Sequence, residues 1–172
     1  RLSVGGGVVH PDGRHILLQA REPGRGPRLY IQDLAGGNPR PFTPEGYRTL
    51  GIKALSPDGT TDLVVGPDQK VYLYTLAGGE PRTPPGLTNL DNAVGWSEDM
   101  RSVYVVRRTE RPLKVSRVDL ATGKREFIRE LMPADSAGVT GVGPVLMLPD
   151  RKSYVFGYQR VLSDLHVVEN LK

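Results

Sequence analysis

A short turn motif recurs four times along this chain, and the recurrence restricts the fold more than any other feature. The copies are His10-Pro11-Asp12-Gly13, Ser56-Pro57-Asp58-Gly59, Ser97-Glu98-Asp99-Met100 and Leu148-Pro149-Asp150-Arg151. Their aspartates lie 46, 41 and 51 residues apart. A second mark follows each turn: Asp33-Leu34-Ala35-Gly36-Gly37, Thr75-Leu76-Ala77-Gly78-Gly79 and Asp119-Leu120-Ala121-Thr122-Gly123, reduced in the fourth copy to Val168-Glu169-Asn170-Leu171. Four copies in 172 residues come to about 43 residues each, the length of one four-stranded propeller blade. The approximate repeats are 5–46, 47–90, 91–138 and 139–172. Gly (21) and Pro (15) are abundant, and many of them fall at these fixed points.

Each repeat reads as strands. An apolar segment precedes the turn: Val8-Val9, Ile52–Leu55, Ala93–Trp96 and Val145–Leu148. A second follows it: Ile16–Leu18, Leu63–Val65, Val103–Val106 and Tyr154–Phe156. A third alternates, as in Leu29, Ile31 and Asp33 with Tyr30 opposite, or Val71, Leu73 and Thr75 with Tyr72 and Tyr74 opposite; it recurs at Val115–Val118 and at Leu165–Val168. Period-two alternation and β-branched residues argue for strand. A fourth, polar and partly Pro-bearing segment (Arg40–Phe42, Pro81–Thr83, Arg125–Arg129) suits an outer edge. Phe127–Met132 is expected to be strand plus loop rather than a helical turn. The fold class is therefore all-β, with blades of four antiparallel strands.

The turn has a mechanism. Pro presets φ at the second position of a type I turn, Gly takes the left-handed position that closes a bulged hairpin, and Asp hydrogen-bonds nearby backbone. Asp12, Asp58, Asp99 and Asp150 are thus read as structural. Met100 and Arg151 replace the Gly and are expected to carry strain of about 1 kcal/mol each.

Catalytic constellations are missing from the pattern. His10 and His15 flank the first turn and His166 lies on the last strand; none has a metal-ligand partner at a recognised spacing, so no metal or cofactor is expected. Gly95-Trp96-Ser97-Glu98-Asp99 fails as a nucleophile elbow at its last position. Gly5-Gly6-Gly7 leads into Val8-Val9, a strand, and so does not cradle phosphate. Ser56–Thr61 lacks the second Gly and the Trp of a sialidase Asp-box. Trp96, the single Trp, is expected to pack between blades.

With 23 Lys and Arg against 19 Asp and Glu the net charge is +4. The densest basic cluster, Arg101 to Lys114, contains Glu110 and lacks interleaved aromatics; it reads as a solvated strand face rather than a nucleic-acid site. Cysteine is absent, which excludes a disulfide scaffold and thiolate metal sites. No apolar run approaches the length of a membrane helix, and no membrane insertion by this chain is expected. The start, Arg1-Leu2-Ser3-Val4, has no signal-peptide core and no Met, as expected for a piece of something longer.

Ser-Pro-Asp-Gly followed by an apolar strand and then Val71-Tyr72-Leu73-Tyr74-Thr75-Leu76-Ala77-Gly78-Gly79-Glu80-Pro81-Arg82 resembles TolB-like, WD-repeat-like propeller blades over almost the whole chain. Leu131–Asp135, Gly138–Gly141, Ser153–Tyr158 and Leu162–Lys172 resemble the end of bacterial proteins that join a serine/threonine kinase domain to a C-terminal propeller sensor, often across one membrane span. That resemblance implies a natural C-terminus near Lys172, a truncated N-terminus and an extracytoplasmic, periplasmic-side location. It carries no kinase activity here, because no kinase motif is present.

Four blades are few for a closed ring. Arg1–Val4 could supply an outer strand to the fourth blade; two copies could form a homodimeric eight-bladed ring, the favoured reading; or the remaining blades of a parent protein could complete it. Functionally, a non-catalytic module binding a peptide or small ligand stands beside two alternatives: the propeller gate of a hydrolase whose catalytic domain is absent from this chain, and a purely structural array. Candidate binding loops are Arg21–Arg28, Thr43–Thr49, Pro84–Asn92 and Met132–Gly143, the first of them suited by Arg21, Arg25 and Arg28 to an acidic partner.

Overall fold

The computed structural model describes residues 2–163. They form thirteen strands and no helix. The first blade is β1 (Ser3–Val9), β2 (His15–Arg21), β3 (Pro27–Asp33) and β4 (Arg40–Pro41), in that spatial order. The second is β5 (Arg48–Thr49), β6 (Thr61–Val65) and β7 (Val71–Thr75), with a single bridge between Leu73 and Arg82 in place of a fourth strand. The third is complete: β8 (Asp91–Trp96), β9 (Ser102–Arg107), β10 (Leu113–Asp119) and β11 (Arg125–Leu131). The fourth contributes β12 (Val139–Met147) and β13 (Tyr154–Arg160). All pairings are antiparallel. The third strand expected at Leu165–Val168, His166 and the Val168–Leu171 mark lie outside the described residues. Phe127–Leu131 is strand, as expected.

The four turns are built alike. The i+3 amide donates to the carbonyl of residue i in each: Gly13 to His10, Gly59 to Ser56, Met100 to Ser97 and Arg151 to Leu148, at 2.9–3.1 Å. Each turn Asp accepts from the backbone amide two residues on, at 2.8–3.1 Å. Gly13 and Gly59 have φ of 67° and 75°, and Met100 and Arg151 are held at 55° and 54°. Two side chains thus occupy the left-handed position that glycine fills without strain.

Two expectations are corrected. Ser3 and Val4 do not close the fourth blade; they pair with Arg21 and Ala20 inside the first. Residues 52–55 do not form a regular inner strand. The chain turns at Ile52-Lys53, and Leu55 makes one bridge, to Asp62. The cause is a cross-blade exchange of backbone bonds: Ala93 N–H donates to Leu50 O and Lys53 N–H to Ala93 O, each at 3.2 Å. A Cβ on Gly51 would meet Ala93 N at 2.6 Å, so only glycine permits the approach.

The core lies between blades, and strands buried on both faces read as continuous apolar runs. Val103 and Val105 face the second blade, packing with Leu63, Val65 and Trp96, while Val106 and Val115 pack with Val145 of the fourth. Trp96 is buried between blades as expected, and its Nε1 donates to Lys53 O at 2.9 Å.

Candidate functional site

The seam between the first and second blades differs from the others, and there the chemistry gathers. On β6, Leu63 and Val65 point toward the third blade. Alternation therefore turns Asp62 toward the first. Asp62 is 4% exposed, and its Oδ1 meets no hydrogen-bond donor among the described residues. Burial pushes its carboxyl up to about 7, because the charged form has lost water without gaining a cation. Asp62 lines a cleft of about 490 Å³ bounded by Gly5–Val8 of β1, Leu17–Gln19 of β2, Thr49 of β5 and Asn92 of β8. Arg48 and Arg108 also line it. The Gly5-Gly6-Gly7 run lies inside β1, so one wall of the cleft is bare backbone. Gln19 crosses the seam, its Oε1 accepting from Thr49 N–H at 2.9 Å.

A second cluster stands at the first turn. Asp12 Oδ2 is 3.0 Å from His10 Nδ1 and 2.6 Å from His15 Nδ1. Asp12 Oδ1 accepts from the Arg14 and His15 amides at 2.8 and 3.1 Å. The Arg14 amide first, then the His15 ring, hold this carboxyl far below the usual range. The expectation that the histidines have no ligand partner rested on sequence spacing. The turn folds positions 10, 12 and 15 together, and their ligand atoms lie within 4.8 Å of one another.

The other turn carboxylates serve the backbone. Ser56 Oγ donates to Asp58 Oδ1 and Ser97 Oγ to Asp99 Oδ1, each at 2.6 Å, and these bonds lead in lowering both carboxyls. Asp150 is held down to about 2, chiefly by the Ser153 hydroxyl.

The candidate loops are partly engaged already. Arg21–Arg28 and Thr43–Thr49 bind each other: Gly46 N–H donates to Pro27 O at 2.8 Å and Arg28 Nε to Thr43 O at 3.2 Å. Arg25 sits 3.6 Å from Glu22. Two of the three arginines expected to face an acidic partner thus have partners in the chain. Two loops are shorter than expected, since β8 begins at Asp91 and β12 at Val139. In the basic cluster, Arg107 Nε pairs with buried Asp91 at 3.1 Å, and Arg125 reaches the same carboxylate at 2.8 Å.

No protein-family model matches the chain, and no curated protein matches its sequence. Solved structures do resemble it. TolB from Acinetobacter baumannii is 20% identical over 77% of this chain and 34% of its own, with a TM-score of 0.57. A putative TolB from Agrobacterium tumefaciens is 20% identical over 88% of this chain and 53% of its own, at 0.58. An oligogalacturonate lyase in complex with manganese is 20% identical over 88% and 44%, at 0.55. The chain spans about a third to a half of the length of these neighbours. The likeness establishes the fold, that of TolB-like propeller blades.

Proposed function

We propose that this TolB-like propeller segment is a non-catalytic binding module, a sensor or scaffold part of a larger protein, that takes up a peptide or small ligand between its first two blades. Asp62 carries the reading. A buried carboxyl oxygen without a donor costs on the order of 1–3 kcal/mol, and Asp62 lies on a central strand, at a place that an apolar residue would fill without that cost. A ligand that parts the packing over Oδ1 and brings an amine or amide N–H to it offsets that cost. The cleft has the usual size and mixed lining of a small-ligand site. The kinase-linked sensor with an extracytoplasmic propeller is the parent that the C-terminal residue pattern suggests.

Self-association, as a homodimeric ring or with a parent's remaining blades, belongs to the same proposal. Val4 and Val9 on the first blade and Val155 and Tyr158 on the fourth stay about half exposed or more, as faces awaiting a neighbour do. A sedimentation mass near 18.8 kDa at all concentrations would remove the homodimer.

The binding test is a calorimetric titration with short peptides bearing a free N-terminal amine and with their acetylated forms. The free amines should bind, and Asp62→Leu should bind at least tenfold more weakly. Equal binding by Asp62→Leu places the ligand elsewhere. Cleavage of the peptides by the purified chain would overturn the non-catalytic reading. A hydrolase gate predicts that these peptides neither bind nor are cut by the isolated chain.

A further inference from the structure

The internal repeat supplies a control for the first turn. At the positions of His10 and His15, the second blade has Ser56 and Thr61, the third Ser97 and Ser102, and the fourth Leu148 and Ser153. Those turns close with the same backbone bonds: the amide of His10, Ser56, Ser97 or Leu148 donates to the carbonyl of His15, Thr61, Ser102 or Ser153 at 2.8–2.9 Å. Imidazoles are not needed to fold the turn. The frame nonetheless aims both of them at one carboxylate oxygen.

The hydrogen bonds also set the protons. His10 Nε2 lies 3.0 Å from Gly59 O, in the neighbouring blade's turn. A carbonyl oxygen only accepts, so Nε2 carries the proton. With its proton on Nε2, the neutral form of His10 presents a lone pair at Nδ1, toward which the Asp12 amide points at 3.2 Å. Nδ1 also stands 3.0 Å from Asp12 Oδ2, so the ring nitrogen and the carboxylate oxygen converge on one point, where a proton or a cation fits between them. Asp12 cannot swing away, because its Oδ1 is held by two amides. His10 is fixed from behind as well: a Cβ on Gly59 would collide with its ring. A metal-binding histidine is ordinarily oriented in just this way, by a carbonyl on its other nitrogen.

We propose that His10 Nδ1, Asp12 Oδ2 and His15 Nδ1 bind one divalent transition ion of the zinc class at the seam between the first two blades. Two imidazoles and one carboxylate suit such an ion, and the remaining positions stay open to water. Bond lengths of about 2.0–2.2 Å require the donors to spread from their present separations, and with Asp12 and His10 held in place the movement falls to the His15 ring, 2.6 Å from Asp12 Oδ2 and about a third exposed. On binding, neutral His15 moves its proton from Nδ1 to Nε2, so no proton is released; a protonated imidazole would release one. Because His10 also holds Gly59 O, the ion would tie the first blade to the second.

The test is a titration of the tag-free full chain with Co²⁺, read by visible d–d absorption, and with Zn²⁺, read by calorimetry. One ion per chain is expected. His10→Ser and His15→Ser install the residue types of the other blades and should fold; each should bind at least tenfold more weakly, as should Asp12→Asn. His166→Gln should bind as the parent does. Absence of binding by the parent, unchanged binding in both serine variants, or loss of binding in His166→Gln would each overturn the assignment.

Discussion

The two seams flanking the second blade differ in what β6 buries against them. Toward the third blade, β6 presents Leu63 and Val65 to Trp96, Val103 and Val105, all buried. Toward the first blade, the same strand presents Asp62 to a cleft, and polar contacts cross the seam, Gln19 to Thr49 and His10 to Gly59, beside an aromatic contact of Phe42 with Tyr74. One seam lowers the free energy of folding through burial, and the other keeps polar groups poised at a partly open surface. The contrast shows how a repeat protein divides its tasks. Neighbouring interfaces contribute separately, so one can be optimised for packing while the next retains groups that are costly for stability.

The largest effect expected from breaking this contrast is at Leu63. Leu63→Ala should cost about 4–5 kcal/mol, because the site is fully enclosed and collapses poorly. Leu17→Ala, beside the cleft, should cost about 2 kcal/mol, since the space it leaves opens onto existing solvent-accessible volume. Denaturant titration of both variants reads the difference; equal losses would mean that the two seams are packed alike.

Next comes the pH dependence of Asp62. Its folded pKa, about 7, lies above the ordinary value near 4, so the native state binds the extra proton between those limits. Stability should therefore fall as pH rises from about 4 to about 7 and level off above, by up to about 4 kcal/mol. Asp62→Asn should remove this decline. Unfolding curves at pH 5 and pH 8 check it, and a parent protein more stable at pH 8 than at pH 5 would contradict it.

A smaller effect separates the turns. The first two blades have Gly13 and Gly59 at the left-handed position, and the third and fourth hold Met100 and Arg151 there. Met100→Gly and Arg151→Gly should each raise the melting temperature by about 2–4 °C, the equivalent of about 1 kcal/mol in a domain of this size. Gly59→Ala should lower it by more than Gly13→Ala, because His10 also occupies the space beside Gly59. A lower melting temperature in the glycine variants would show that those turns are not strained.

Much of the architecture is legible in the residues themselves. The Pro-Asp-Gly period marks the blades, and the apolar runs Leu63–Val65 and Val103–Val106 announce strands buried on both faces. The turn chemistry predicts the positive φ at Met100 and Arg151. These features depend on residues close in sequence, where turn and strand preferences act directly. The irregular inner strand of the second blade is not legible, because Leu50 and Lys53 bond with Ala93, 43 and 40 residues away.

The site divides along the same line. Sequence alone determined the blade frame, the turn aspartates and the positions where two histidines replace hydroxyl or apolar residues. Only the tertiary structure turned Asp62 into a buried, unpaired acid, since Thr61-Asp62-Leu63 reads like any strand entry until the neighbouring blade removes its water. Only the folded turn and its neighbour set His10 against both Asp12 and Gly59. Burial and tautomer are properties of what surrounds a group, and in a stack of blades those surroundings come from the next repeat.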